Sequence, residues 1–239
     1  MNIYLIIILF AIIGEYILST LVRNLNLKAL DPNLPQEFSD VYDEEKYRKS
    51  QEYTRTNSRF SYLTSSFSIL LTLGVILLGV FNFADESVRS FGYGNIITGL
   101  LFFGILTLAS DLLTTPFSLY RNFVIEEKFG FNKMTLRTFV TDKLKGYSLM
   151  LILGVPIMSL ILYFFETFGN TAWLYAWGLI AGFSLAMQPL FNLVIAPMFN
   201  KFTPLEKGPL LDKIKAYVEK VEFPVSRVDV MDGSKRSSH

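Results

Sequence analysis

The sequence contains no cysteine and a single histidine, His239, among its 239 residues. The absence of cysteine excludes disulfides, thiol nucleophiles and cysteine-based zinc or iron–sulfur sites. Charge is also scarce, because Asp, Glu, Lys and Arg make up 18% of the chain, against about 25% in soluble domains. The net charge of +1 carries no signature of nucleic-acid binding, so we expect no nucleic-acid partner.

Hydrophobic residues make up 51% of the chain and concentrate in long runs. A helix needs about 20 such residues to cross about 30 Å of hydrocarbon. Continuous bulky runs favour helices over the alternating strands of a membrane barrel. The predicted spans are residues 3–22, 62–83, 96–120, 147–165 and 172–198. The sequence therefore predicts an all-α membrane protein with about five transmembrane helices within residues 1–199, and the lipid bilayer as its first partner.

The first span has an alternative interpretation as a cleaved signal peptide. It lacks a basic region at its start and a small-residue cleavage site before Arg23, which favours a retained helix. The segments that follow the five spans hold seven, one, six, zero and eight Lys or Arg residues in chain order. Because cytoplasmic loops retain positive charge, we expect the N-terminus outside or in a lumen and the C-terminus in the cytoplasm.

The connector between the first two spans, residues 31–59, becomes densely charged after two prolines. Its pairs Glu44 with Arg48 and Glu45 with Lys49 have helix-supporting spacing. We therefore expect a cytoplasmic surface helix, with a plain solvated connector as the alternative.

The chain changes character after residue 199. Gly208 and Pro209 precede apolar residues at helical spacing, which predicts a soluble amphipathic helix. A β-branched run after Pro224 then leads to Asp232 and Gly233, a hairpin signal with little room for a second strand. We therefore expect residues 200–239 to be the truncated start of a further domain and the chain to be the N-terminal portion of a longer protein.

Three of the predicted spans carry polar residues at steps of three or four, which places them on one helical face. Ionisable groups inside a membrane usually face a cavity or a partner, so these faces predict a water-containing cavity. Interhelical hydrogen bonds are the alternative, especially for the hydroxyl residues. The candidate chamber-lining residues are Glu15, Asp111, Thr114, Ser184, Gln188 and Asn192.

Catalytic chemistry is poorly represented in this chain. A zinc site of the H-E-x-x-H type needs two histidines at i and i+4, and only His239 is present. The chain also lacks a P-loop, a dinucleotide fingerprint following a strand, and a G-x-S-x-G elbow. These residues alone therefore predict no catalytic metal site.

Three motifs give the chain a family resemblance. They are FVIEEKFGFN (residues 123–132), IAPMFNKFTPLEKG (residues 195–208) and DVMDGSKRSSH (residues 229–239). In this order they resemble the type I CAAX prenyl protease family, integral-membrane zinc metallopeptidases. The resemblance extends more loosely over the whole chain, including YRKSQEYTRTNSRF (residues 47–60).

The resemblance implies a large water-filled intramembrane chamber and a cytoplasmic α/β zinc peptidase domain that cuts prenylated C-terminal peptides. In the family the SKRSSH run is followed by a substrate-binding S-N-A-Y segment, an H-E-x-x-H motif and a glutamate ligand, and none of these occurs here. We therefore expect zinc in the full-length enzyme, with no catalytic zinc and no activity in this chain. Ser237, Ser238 and His239 match the approach to the substrate groove.

Residues of the first motif have two interpretations. By physical chemistry alone, Glu126 and Glu127 form a solvated charged turn. By resemblance, Glu126, Glu127 and Asn132 form a loop that braces the zinc domain against the helices.

Two other functions remain open from the sequence. Broken helices and intramembrane carboxylates are also typical of a transporter or channel component. A non-catalytic membrane scaffold that assembles with a separate metal-bearing chain is the second alternative.

Overall fold

The computed structural model describes residues 2–233. It divides into two compact units, Met1–Asn132 and Lys133–His239. Apolar helices dominate both units, as the hydrophobic runs predicted. The protein is therefore a mostly helical, multi-pass membrane protein.

The first unit is built from four α-helices. Side-chain caps begin two of them, since Asn2 accepts a hydrogen bond from the Tyr4 N–H and Asp43 accepts one from the Lys46 N–H. A short 3-10 turn, Gln36–Phe38, lies in the connector between the first two helices. The helices are α1 (Ile3–Lys28), α2 (Glu44–Leu77), α3 (Val80–Arg89) and α4 (Asn95–Tyr120), and a π-helical segment, Arg121–Glu126, follows α4.

The second unit contains the remaining helices and a small sheet. A π-helical segment, Met150–Gly154, joins its first two helices, and a 3-10 turn, Gly169–Thr171, follows them. Another π-helical segment, Phe191–Ile195, lies between its next two helices. The helices and strands are α5 (Leu136–Leu149), α6 (Val155–Phe168), α7 (Ala172–Leu190), α8 (Ala196–Phe199), β1 (Phe202–Pro204), α9 (Pro209–Lys220) and β2 (Asp229–Met231).

Four helical stretches of the described chain are long and apolar enough to cross a membrane. The fourth, Leu136–Phe199, has 64 residues, or about 96 Å at 1.5 Å per residue, which is about three bilayer cores. It turns at Gly169, whose φ of +51° suits glycine. Beyond the turn, Tyr175 stacks on Phe168 at 4.3 Å between ring centroids. The stretch therefore holds two packed segments, which agrees with five predicted spans.

The connector before the second span differs from its prediction. Helix α2 begins at Glu44 and continues without a break to Leu77, so its 34 residues extend about 51 Å. The expected helix is present, but it is not confined to the connector, because its residues form the charged first half of a helix that then becomes apolar.

The second predicted span, residues 62–83, is interrupted near its end. Helix α2 ends at Leu77, and Gly79 adopts a left-handed φ of +70° before α3 begins. Left-handed glycine is a common helix terminator because it lacks the Cβ that opposes this conformation. An apolar run thus contains a helix end that hydropathy alone does not mark.

Two prolines within the predicted spans lie next to π-helical segments. Pro156 follows the segment Met150–Gly154, and Pro197 follows Phe191–Ile195. Proline has no N–H and its ring clashes with the carbonyl four residues earlier. For Pro156 that carbonyl belongs to Ile152, and for Pro197 it belongs to Leu193. Both residues lie inside the π-helical segments, whose turns are wider than those of an α-helix.

The strand predicted near the C-terminus is present, but its partner is not where we expected it. β2 pairs with the upstream strand β1 in antiparallel register, with Thr203 opposite Val230. The Asp232 N–H extends the ladder to the Lys201 carbonyl at 3.2 Å. The hairpin signal indicated a partner after the turn, whereas the pairing residues precede the amphipathic helix in sequence. The predicted turn continues into residues after 233, which lie outside the described part.

Helix α9 confirms the predicted amphipathic helix. It begins with Pro209 in its first turn, and its apolar residues Leu211, Ile214 and Val218 line one wall of a cavity of about 680 Å³. Leu205 and Val228, which flank the two strands, line the same cavity. Residues 200–233 therefore form a small α/β element.

Candidate functional site

The EEKFGFN motif begins with the last residue of the π-helical segment Arg121–Glu126 and continues into a tight turn. The N–H groups of Phe131 and Asn132 donate to the Glu126 carbonyl oxygen at 2.9 and 3.2 Å. Gly130 adopts a φ of +77°, and its N–H donates to the Glu127 carbonyl oxygen at 3.0 Å. The position of glycine in this motif thus follows from the backbone turn that it makes.

Glu126 is the buried carboxylate of this loop, with 3% of its surface exposed. The Tyr53 hydroxyl donates to Glu126 at 2.9 Å from Oε1 and 3.2 Å from Oε2. Arg121 Nε lies 3.9 Å from Oε1 and adds a longer ionic contact. Because a buried charge is costly unless it is paired and hydrogen-bonded, this contact fixes the loop to α2.

Aromatic rings complete the junction around Tyr53. Phe129 and Phe131 pack edge-on against the Tyr53 ring, each at 5.1 Å between centroids. At the surface, Lys128 Nζ donates to Glu52 Oε1 at 2.8 Å. The two phenylalanines of the motif therefore place the Tyr53 hydroxyl beside Glu126.

Tyr53 lies in the charged first half of α2, before the apolar stretch that starts at residue 62. Burial raises the pKa of the Tyr53 phenol above its ordinary value, and the hydrogen bond to Glu126 raises this pKa further. The protonated hydroxyl is the form that can donate to the carboxylate. The junction thus favours a neutral tyrosine that donates to the Glu126 side chain.

The other two motif residues have a local role. The Asn132 side-chain amide donates to Glu127 Oε2 at 2.9 Å, which closes the loop on itself. Glu126, through its contact with Tyr53, braces the loop against α2 within the first unit. A further role of Glu126, Glu127 and Asn132 in bracing a zinc domain stays a prediction.

Further contacts bring three helices together at one end of the first unit. The Tyr62 hydroxyl at the start of the second predicted span donates to the Thr20 carbonyl of α1 at 3.4 Å. Phe60 stacks on Tyr120, the last residue of α4, at 5.2 Å. The C-terminal part of α1, the region of α2 around Phe60 and Tyr62, and the end of α4 therefore lie at one end of the unit.

A polar cleft lies between α1 and α2 within their apolar stretches. Its cavity measures about 420 Å³ and is lined by Glu15, Tyr16 and Arg23 from α1. Helix α2 contributes hydroxyl groups to the facing wall, namely those of Ser61, Thr64, Ser65, Ser68 and Thr72. The predicted polar face of the first span thus meets a second polar face.

Hydrogen bonds join the two walls of this α1–α2 cleft. Arg23 Nη1 donates to Ser65 Oγ at 2.8 Å, and its guanidinium lies 5.2 Å from the Tyr62 ring centroid. Tyr16 Oη and Ser66 Oγ share a hydrogen bond of 2.7 Å. Glu15 is exposed to the cleft and accepts a hydrogen bond from Ser19 of its own helix at 3.1 Å. Interhelical hydrogen bonds, the alternative interpretation, therefore occur in this helix pair, and a water-containing chamber stays a prediction.

The polar face of α4 borders an open groove of about 470 Å³. Thr107, Ser110, Asp111 and Thr114 line it, so the predicted stripe is one continuous surface. The Thr114 hydroxyl donates to the Ser110 carbonyl of its own helix at 2.9 Å. Such intrahelical bonds are common for threonine in helices, and they differ from both sequence interpretations of this hydroxyl.

The remaining predicted site residues lie in the second unit. Ser184 and Gln188 are exposed on α7, and Asn192 is exposed on the π-helical segment that follows it. Their enclosure of a chamber together with Glu15, Asp111 and Thr114 stays a prediction. Ser237, Ser238 and His239 lie outside the described residues.

Two parts of this site were missed from the sequence. The hydroxyl row of α2 has the same spacing of three and four residues that marked α1, so this signal was present in the sequence. Tyr53 carried no such signal, because its role depends on a carboxylate 73 residues away.

Metal ligands do not assemble in this part of the chain. Within residues 2–233, no group of three His, Cys, Asp or Glu side chains could hold a metal ion. The carboxylates Glu15, Asp111 and Glu126 belong to three different elements and have different neighbours. The described residues therefore do not fit a catalytic zinc site.

Known proteins resemble this chain over most of its length. Residues 23–201 match the family model described as CAAX prenyl protease N-terminal, five membrane helices. The CAAX prenyl protease 1 homolog of Oryza sativa subsp. japonica is 35% identical over 244 aligned positions, which cover 99% of this chain and 57% of that protein. The Homo sapiens homolog is 36% identical over 214 positions, which cover 87% of this chain and 45% of that protein.

The fold has a solved counterpart. A crystal structure of S. mikatae Ste24p matches with a TM-score of 0.92 at 31% identity, covering 100% of this chain and 58% of that chain. The chain thus spans about half the length of the curated relatives it matches. The family description names five membrane helices, and the matched residues include four of the predicted spans, since the match begins after the first one.

Proposed function

Because this chain belongs to the CAAX prenyl protease N-terminal family, we propose that it forms the membrane part of an endopeptidase that cleaves prenylated CAAX-type C-terminal peptides. Its helices wall a water-containing intramembrane chamber, and residues 200–239 begin the cytoplasmic peptidase domain. The substrate is a peptide whose prenyl chain partitions into the bilayer. Zinc belongs to the full-length enzyme.

One observation carries this proposal beyond family membership. The α1–α2 cleft places a carboxylate, a guanidinium and a row of hydroxyls between helices that are otherwise apolar. A hydrated wall of this kind lets a polar peptide backbone approach within the membrane, where unsatisfied amide groups cost several kcal/mol each.

Orientation is part of the proposal. The loops that carry seven and six Lys or Arg residues face the cytoplasm, and the N-terminus lies outside or in a lumen. The contact between Tyr53 and Glu126 supports a common side for these two loops. The peptidase domain that begins after α8 then lies on the cytoplasmic side.

The residues of this chain have positioning and binding roles in the proposal. Glu126, Glu127 and Asn132 hold the EEKFGFN loop in shape where the first unit ends. Ser237, Ser238 and His239 lie at the approach to the peptide groove. We assign no bond-breaking step to this chain, because its described residues do not fit a zinc site.

Cysteine accessibility tests the chamber directly, since the chain has no native cysteine. Asp111→Cys and Gln188→Cys should react with a small water-soluble thiol reagent in vesicles, because a thiol in water ionises and a thiol in hydrocarbon does not. Leu112→Cys is the matched control, since Leu112 is an apolar neighbour with 69% of its surface exposed. A hydrated chamber would be contradicted if all three cysteine variants reacted at the same rate, or if none of them reacted.

Metal content tests the assignment of zinc to the full-length enzyme. The purified 239-residue chain should contain no stoichiometric zinc after dialysis against a weak chelator. One tight zinc per chain that disappears in His239→Ala would contradict this assignment, while leaving the chamber test unaffected.

A further inference from the structure

A second cavity of the first unit lies at the membrane boundary, between α2 and α4. It measures about 540 Å³, and its apolar wall includes Phe60, Leu63, Pro116, Phe117 and Tyr120. We call it the boundary groove. It is separate from the α1–α2 cleft, with which it shares no lining residue.

Aromatic packing defines both ends of the boundary groove. The Phe60 and Tyr120 rings stack at 5.2 Å where α2 enters and α4 leaves the apolar layer. Farther along α2, Phe67 packs on Phe117 at 4.8 Å. Tyrosine and other aromatic rings are enriched at the level of lipid headgroups. The groove therefore extends from this level toward the hydrocarbon.

A cation lies at the rim of this apolar groove. Arg59 lines it beside Thr56, and its side chain is exposed. Among the described residues, no carboxylate forms an ion pair with Arg59. Arginine binds phosphate through paired N–H donors and is a favoured residue for this purpose. The groove thus offers an apolar channel with a phosphate-binding group at its boundary end.

We propose that the boundary groove binds one anionic phospholipid, with an acyl chain along Phe60, Leu63 and Phe117 and the phosphate at Arg59. The charge of Arg59 favours this occupant over an uncharged isoprenoid chain, which leaves the guanidinium without an anion. The proposal does not depend on the protease function, since any bilayer supplies the lipid.

Native mass spectrometry of the full chain in detergent tests the charge selectivity. Phosphatidylglycerol and phosphatidylcholine with identical acyl chains serve as probes. The unmodified chain should retain one phosphatidylglycerol about fivefold more tightly than phosphatidylcholine, the preference expected for one basic side chain near an anionic lipid. Arg59→Gln should abolish this preference. Arg89→Gln, which removes the same charge from α3, should leave the preference intact.

Three outcomes would overturn the proposal. Arg59→Gln that keeps the preference would show that the phosphate does not use this side chain. Equal losses in both arginine variants would indicate attraction by net charge alone. Displacement of phosphatidylglycerol by equimolar farnesol would identify an isoprenoid chain as the preferred occupant.

A steric variant tests the groove itself. Leu63→Trp should fill it and lower retention of both lipids, and the exposure of Leu63, 59%, leaves room for the larger ring at its outer edge. Leu70→Trp is the control, because Leu70 is exposed on the same helix and does not line the groove. Unchanged lipid retention in Leu63→Trp would contradict binding in the groove.

Discussion

Two glutamates of the first unit show opposite ways of keeping a carboxylate in a largely apolar protein. Glu126 is 3% exposed and accepts hydrogen bonds from Tyr53, which belongs to a different helix. Glu15 is exposed to a cavity and accepts a hydrogen bond from Ser19 of its own helix. The first carboxylate therefore depends on a tertiary partner, whereas the second faces an open polar cleft.

The difference indicates different roles for the two groups. A buried carboxylate with a fixed donor holds two elements together, and its value is structural. A carboxylate on the wall of a polar cleft remains available to water or to a ligand. Perturbing each group should separate these roles.

The largest effect is expected from removing the donor to Glu126. Tyr53→Phe should lower the free energy of unfolding by about 2–3 kcal/mol, because it leaves a buried carboxylate without its hydrogen bond. Unfolding in mixed detergent micelles measures this change. Tyr42→Phe removes the same hydroxyl from an exposed residue and should have almost no effect.

A double variant sharpens this result. Adding Glu126→Gln to Tyr53→Phe should recover part of the lost stability, because a neutral amide is less costly to bury than a charge. Fully additive losses would mean that the two side chains do not act as a pair.

A pH profile gives a smaller effect at the same junction. The folded-state pKa of Tyr53 is raised above 10.0 by burial and by Glu126. Its stabilising contribution is thus fully present below pH 10 and is lost as the pH rises through the folded-state pKa. The stability difference between the unmodified chain and Tyr53→Phe should therefore shrink above about pH 10. A difference that grows in this range would contradict the assigned direction.

The smallest effect is expected in the α1–α2 cleft. Glu15→Gln should change the free energy of unfolding by less than about 0.5 kcal/mol, because an exposed carboxylate loses no buried partner. The same micelle assay measures this. A loss as large as that of Tyr53→Phe would show that Glu15 is held like Glu126, and the distinction between the two sites would fail.

The apolar runs could be located from the sequence because hydropathy is set by local composition, and one of them matches a helix closely. The third predicted span, residues 96–120, differs from α4 by one residue at its start. The loop charges and the polar face of α1 were also visible, since both depend on side chains that are near each other in sequence. The amphipathic spacing of α9 belongs to the same class of signal.

Other features depended on information that the hydropathy pattern does not contain. The helix end near Gly79 lies within an apolar run. The backbone becomes left-handed at this glycine, whereas the polarity of the surrounding side chains does not change. The charged connector joins α2 because Asp43 caps a helix that the following residues can continue. β2 pairs with β1, which precedes α9 in the sequence. The turn signal after β2 had indicated a partner strand later in the chain, so the pairing was not predicted.

The sequence by itself determined that this chain crosses a membrane several times, which faces of its helices are polar, and which family it resembles. These properties follow from the transfer free energy of each side chain and from the helical repeat, and both are local. Only the tertiary structure decided that Tyr53 satisfies Glu126, that the hydroxyls of α2 face Arg23, and that Phe60 stacks on Tyr120. Such contacts join residues dozens of positions apart, and burial gives them their energy only after the helices have packed.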